Sequence, residues 1–123
     1  MRRNLVILGT GILAVAGAVL AQDNSEKASP KKTAGAAAGA VARGKDVFEK
    51  KCAICHFADS DQKKIGPGLK GLSKRGTFTV NGNKVTTESL REWIENGDSL
   101  MPGMKDSLEP GQIKDVVAYV KTL

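Results

Sequence analysis

Aromatic residues are scarce in this chain of 123: three Phe, one Trp and one Tyr, 4% of the whole. A small domain with so few large flat side chains has little to fill its own middle, and commonly needs a disulfide, metal or cofactor as a staple. Histidine is scarcer still, with one, and cysteine stops at two. A closed structural zinc site takes four protein ligands, which these three supply only if a carboxylate joins them. Long apolar runs are also lacking. The uncharged stretch Leu5–Leu20 falls short of the ~20 residues a membrane span needs, and Gly9, Gly11 and Gly17 weaken it as a helix. The formal charge is +6, but no dense basic stripe accompanies it, which argues against a nucleic-acid binder. No internal repeat is visible.

The apolar stretch follows Arg2 and Arg3 and ends at Val19-Leu20-Ala21. A positive start, a short apolar run and small residues before a cut are the marks of an export signal. Residues 1–21 are therefore expected to be a signal peptide, with an uncleaved N-terminal anchor as the alternative. Residues 22–42, rich in Ala, Gly, Ser and Lys with no large side chain to bury, are expected to form a flexible linker. A tether serves an anchored protein better than a diffusing one, which keeps the anchor reading open. Export would place the chain in the periplasm.

The folded domain is then 43–123. "GKDVFEKKC" sets Val47 and Phe48 with Lys51 and Cys52 in helical register, predicting a helix from about Gly44 to Cys52. "FADSDQKKIGPGLKGL" reads as loop. "TFTVNGNKVTT" alternates around Asn81-Gly82, a strong hairpin signal. "TTESLREWIENG" carries a Thr cap, Leu90, Trp93 and Ile94 at helical spacing, and Gly97 as a stop. Pro110 opens a last helix, with Ile113, Val116, Val117 and Val120 along one face. The expected fold class is all-α: three main helices, a short hairpin and long loops.

Both cysteines and the only histidine stand together in "CAICH", Cys52 to His56. A redox C-x-x-C belongs to a βαβ pattern, which is missing. A structural disulfide closing so small a loop would constrain the unfolded chain only weakly. A covalent haem uses all three residues at once. The spacing sets both thiols on one side of a turn, each able to bond a vinyl carbon of the porphyrin, and His56 follows as an iron ligand. The macrocycle would also supply the missing core.

No second histidine exists to take the sixth iron position, so a methionine is the natural partner. "LMPGMKD" offers two. Met101 is favoured because Pro102 holds it toward an extended backbone, from which its thioether can project. Met104 stays open, and both could instead be gap-filling core residues.

Taken together, the chain resembles a monohaem class I cytochrome c from about Gly44 to Leu123, and its hairpin-like insertion is similar to one in oxidase-associated cytochrome c domains. The motifs that carry this are "GKDVFEKKCAICH", "GPGLKGL", "LREWIENG", "MPGM" and "IKDVVAYVKTL", in the family's order. The resemblance implies a cytochrome c fold around one covalent haem c. It implies that the Pro67 carbonyl accepts from the free ring nitrogen of His56, and that Trp93 lies beside the methionine ligand. It further implies that Gly44 and Phe48 cross Tyr119 and that Arg75 approaches a haem propionate.

The site set expected from the chain and its resemblance is thus Cys52, Cys55, His56, Pro67, Trp93 and Met101, with His56 and Met101 on the metal. With both axial positions filled and no acid–base set in view, the expected function is electron transfer between respiratory or other periplasmic redox partners, not catalysis. Those partners would be proteins, a membrane oxidase or reductase among them, and the carrier a monomer. A five-coordinate haem sensor or weak peroxidase is the alternative.

Overall fold

The computed structural model describes residues 30–123; the expected signal segment and the first part of the expected linker lie outside them. Helix α1 spans Pro30–Lys51, the single turn α2 Leu72–Arg75, α3 Thr87–Asn96 and α4 Pro110–Val120. Among the described residues there is no strand, and the all-α expectation holds.

The linker expectation fails over residues 30–42, which are helical and continuous with the segment predicted to start near Gly44. The reason is propagation. Residues 44–51 are pinned by packing, and extending an existing helix avoids the cost of a new nucleus. The upstream "AGAAAGAVA" is mostly Ala, the best helix former. Lys50 and Lys51 in the last turn complement the helix dipole.

The body is built on the crossing of α1 and α4. Gly44 lies flat against the backbone of α4: a Cβ there would overlap the Asp115 carbonyl and come 2.9 Å from Tyr119 Cβ. That approach lets Phe48 meet Tyr119 edge to face at 5.4 Å, the crossing the resemblance implied. Phe48 is buried with Ile113, Val116, Val117 and Val120 of α4, each such side chain contributing about 1.5–3 kcal/mol. The Arg43 guanidinium closes the end of the crossing with two bonds to the Asp115 carboxylate, 2.6 and 3.0 Å.

Leu90 and Ile94 of α3 add the third side of the core, joined by Leu72 and Leu108. Thr86 caps α3 as expected, accepting from Ser89 N at 3.0 Å, while Ser89 Oγ accepts from Thr86 N at 2.8 Å. At α4, Gln112 Oε1 accepts from Glu109 N at 2.9 Å.

The expected short hairpin is present in reduced form. Its pairing shrinks to one antiparallel bridge, Thr77 with Lys84, flanked by bonds from Phe78 N to Asn83 O and Val85 N to Gly76 O. The turn at Asn81-Gly82 does exist, with Gly82 at φ +73°. Val80 beside it is 56% exposed, while Phe78 and Val85 pack against the core; with no third strand among the described residues, the ladder stays minimal.

Candidate haem-attachment site

Helix α1 ends in a tight turn that carries the soft donors. The Phe48 carbonyl accepts from both Cys52 N and Ala53 N, and the Cys52 carbonyl accepts from both Cys55 N and His56 N. Cys52 and Cys55 are free and half-buried. Burial, with Cys55 beside it, pushes the Cys52 thiol up to about 11. Among the described residues no group of three or more His, Cys, Asp or Glu side chains could hold a metal ion.

His56 Nδ1 lies 2.8 Å from the Pro67 carbonyl oxygen. A carbonyl can only accept, so the proton sits on Nδ1 and Nε2 keeps its lone pair. The loop that brings Pro67 there is sewn to the turn by Gly66 N donating to Cys55 O at 2.8 Å and Leu69 N to Phe57 O at 2.9 Å. Gly66 lies against the imidazole itself. A Cβ on it would overlap His56 Cε1 and stand 2.8 and 2.9 Å from the two ring nitrogens. Lys64 reaches the same turn, donating to Ala53 O at 2.7 Å and lying 5.2 Å over the Phe57 ring.

Met101 and Met104 come from the loop after α3. Both are half-buried and pack against the same core cluster as Cys52. Trp93 is half-buried on α3 and stacks on Phe78 at 5.3 Å. Arg75 is exposed and donates to Lys70 O at 2.6 Å. The structure thus groups Cys52, Cys55, His56 and Pro67 on one turn and its partner loop, with Met101, Met104 and Trp93 supplied by α3 and the loop after it.

Gly66, Phe78 and Asp98 were not singled out as site residues from the sequence. Asp98 accepts from Leu100 N at 2.8 Å and Met101 N at 2.7 Å. These two bonds, that of Met101 foremost, hold its carboxyl below the usual carboxylate range. An Asp at the mouth of a loop is a recognised turn former, and that was the available signal.

Two thiols and an Nε2 lone pair on one turn of a small helical domain suit covalent attachment of a haem, with thioethers on a second element as further soft donors. The fold and these donors define a c-type haem protein. The comparisons agree: the chain belongs to the cytochrome c family, whose family model matches residues 41–123. It is 33% identical to the cytochrome c of Gibberella zeae over 103 residues, 69% of this chain and 95% of that protein. It is 35% identical to cytochrome c2 of Blastochloris viridis over 102 residues, 70% and 80% of the two chains. A third relative is the cbb3-type cytochrome c oxidase subunit CcoP of Azospirillum, 34% identical over 91 residues, 70% of this chain but 29% of that subunit. Membership implies covalently bound haem c and an electron-carrier role.

Proposed function

We propose that this chain is an exported single-haem electron carrier whose iron is held by His56 and Met101, with thioether bonds from Cys52 and Cys55. The observation that carries the reading is the His56–Pro67 bond. It fixes the tautomer that leaves Nε2 free, on the turn that bears both thiols. When bound, the haem supplies one-electron chemistry between ferric and ferrous iron. The chain's own residues do the rest. Pro67 fixes the orientation of the imidazole through its carbonyl, Gly66 keeps the face of the ring clear, and Met101 would bring a neutral thioether that favours the ferrous state. Trp93, stacked on Phe78, stiffens the α3 side of the site. With His56 and Met101 as the residues that would hold the iron, and no convergent acid–base groups among the described residues, the chain would act as a carrier and not an enzyme.

In this reading residues 1–21 direct export to the periplasm, or stay as an anchor, and the partners are redox proteins, a membrane oxidase or reductase among them. No helix among the described residues is long and apolar enough to cross a membrane. The test is spectroscopic. Met101→Ala should abolish the sulfur-to-ferric-iron charge-transfer band and lower the potential, and Met104→Ala should keep both. The reverse result moves the ligand to Met104. A band that survives each change removes methionine from the iron.

A further inference from the structure

The chain leaves α3 through a bracket that closes on Met101. Gly97 takes φ +67° and ψ −159°, a backbone only glycine adopts readily, and lies so close to the Met101 carbonyl that a Cβ would overlap it. Gly97 and Pro102 then form an isolated antiparallel bridge. Inside the bracket both backbone polar groups of Met101 end on one residue: its N–H donates to Asp98 Oδ1 at 2.7 Å, and its carbonyl accepts from Asp98 N at 2.8 Å. Asp98 Oδ1 also accepts from Leu100 N at 2.8 Å. Beyond Pro102 the chain is stitched back to α3 by Met104 N to Ile94 O at 2.8 Å and Lys105 N to Glu95 O at 3.3 Å.

Those stitches leave Ser99 to Pro102 as the span that must hold its own shape. Leu100 is 90% exposed, so its side chain gives the span no apolar grip, and Pro102 has no N–H to donate. Apart from the packing of Met101 itself against the core, the upstream half of the loop is held by Asp98. We propose that Asp98 is a positioning residue that keeps the Met101 thioether presented to the iron, setting how often that ligand lets go. This rests on the Met101 reading above. A neutral thioether binds iron weakly enough that its loop's preorganisation decides the population attached, and losing a carboxylate that caps two amides should raise the open fraction about fivefold.

The experiment uses the haem-loaded protein as wild type, Asp98→Ala, Asp98→Asn and Met101→Ala. Imidazole is mixed with the ferric protein, and the rate at saturating imidazole reports opening of the native sixth ligand. Asp98→Ala should raise that rate about fivefold or more, and Asp98→Asn, which keeps an oxygen acceptor, should recover most of the difference. In wild type the Leu100 and Met101 amides should exchange with deuterium more slowly than that of Ser99, and Asp98→Ala should erase the contrast. An unchanged imidazole rate in Asp98→Ala, while Met101→Ala abolishes the charge-transfer band, overturns the clamp and leaves the ligand assignment standing. A band that persists in Met101→Ala overturns both. Should Asp98→Ala yield no holoprotein, unprotected Leu100 and Met101 amides in wild type overturn the clamp on their own.

Discussion

His56 owes its readiness as a ligand to two neighbours that act in different ways. Pro67 contributes a main-chain oxygen, so Pro67→Ala should retain the 2.8 Å bond and change the spectrum little. Gly66 contributes empty space, so Gly66→Ala, a methyl driven into the imidazole, should force the ring off its partner and sharply lower holoprotein yield. Haem content per unit of protein, measured for both variants, separates the two roles; equal losses would contradict this division. The cysteines and the histidine were legible from their spacing along the chain, and Pro67 from the family resemblance that "GPGLKGL" carries. Asp98 and Phe78 were not, because theirs depend on where a loop folds back: onto Met101 for the one, onto Trp93 for the other.

The helices divide by what pins them. Helices α3 and α4 could be read from apolar spacing because each buries one stripe, Leu90 and Ile94 in the first, Ile113, Val116, Val117 and Val120 in the second. The N-terminal half of α1 has no such stripe, and its helicity comes from Ala propensity and continuity with the docked half. Deleting residues 22–40 should then reduce helical circular dichroism while leaving the melting midpoint of the haem-loaded protein nearly unchanged; a large drop in the midpoint would mean that this half packs on the body. At the crossing, Gly44→Val should destabilise by about 3 kcal/mol or more, since the contact it invades is main chain. Arg43→Ala should cost at most about 1 kcal/mol, because the Arg43 side chain is 64% exposed. Denaturant melts of the two variants check that order. The hairpin is minimal because Asn81-Gly82 specifies a turn, whereas a longer ladder also needs a further strand to pair with, and the described residues hold one bridge, Thr77 with Lys84.

Across the whole molecule, exposed Lys63, Lys64, Lys70, Lys74 and Lys105 lie in the segments that follow the C-x-x-C-H turn and the methionine loop. Lys64 is held at the turn by its bond to Ala53 O. Such a set would steer an acidic redox partner and raise encounter rate more than affinity. Electron transfer to an acidic oxidase should slow as salt screens charges over ~10 Å at 0.1 M. Paired Lys→Glu changes at 63 and 70 should slow it more than a change at Lys121, whose ammonium is engaged with Thr87 Oγ1 at 2.6 Å. Rates indifferent to salt and to charge reversal would leave exposed apolar side chains such as Ile54 and Ile65 as the contact.

The central claim is a haem joined covalently to the turn at the end of α1. The direct measurement is the mass of the denatured protein after production with a haem-attachment system, followed by digestion. The expected mass is that of the polypeptide plus one haem, carried by the peptide that contains Cys52 to His56, with neither thiol open to alkylation. A polypeptide of unmodified mass, with both cysteines alkylated and the pigment extracted into acidified organic solvent, would contradict it.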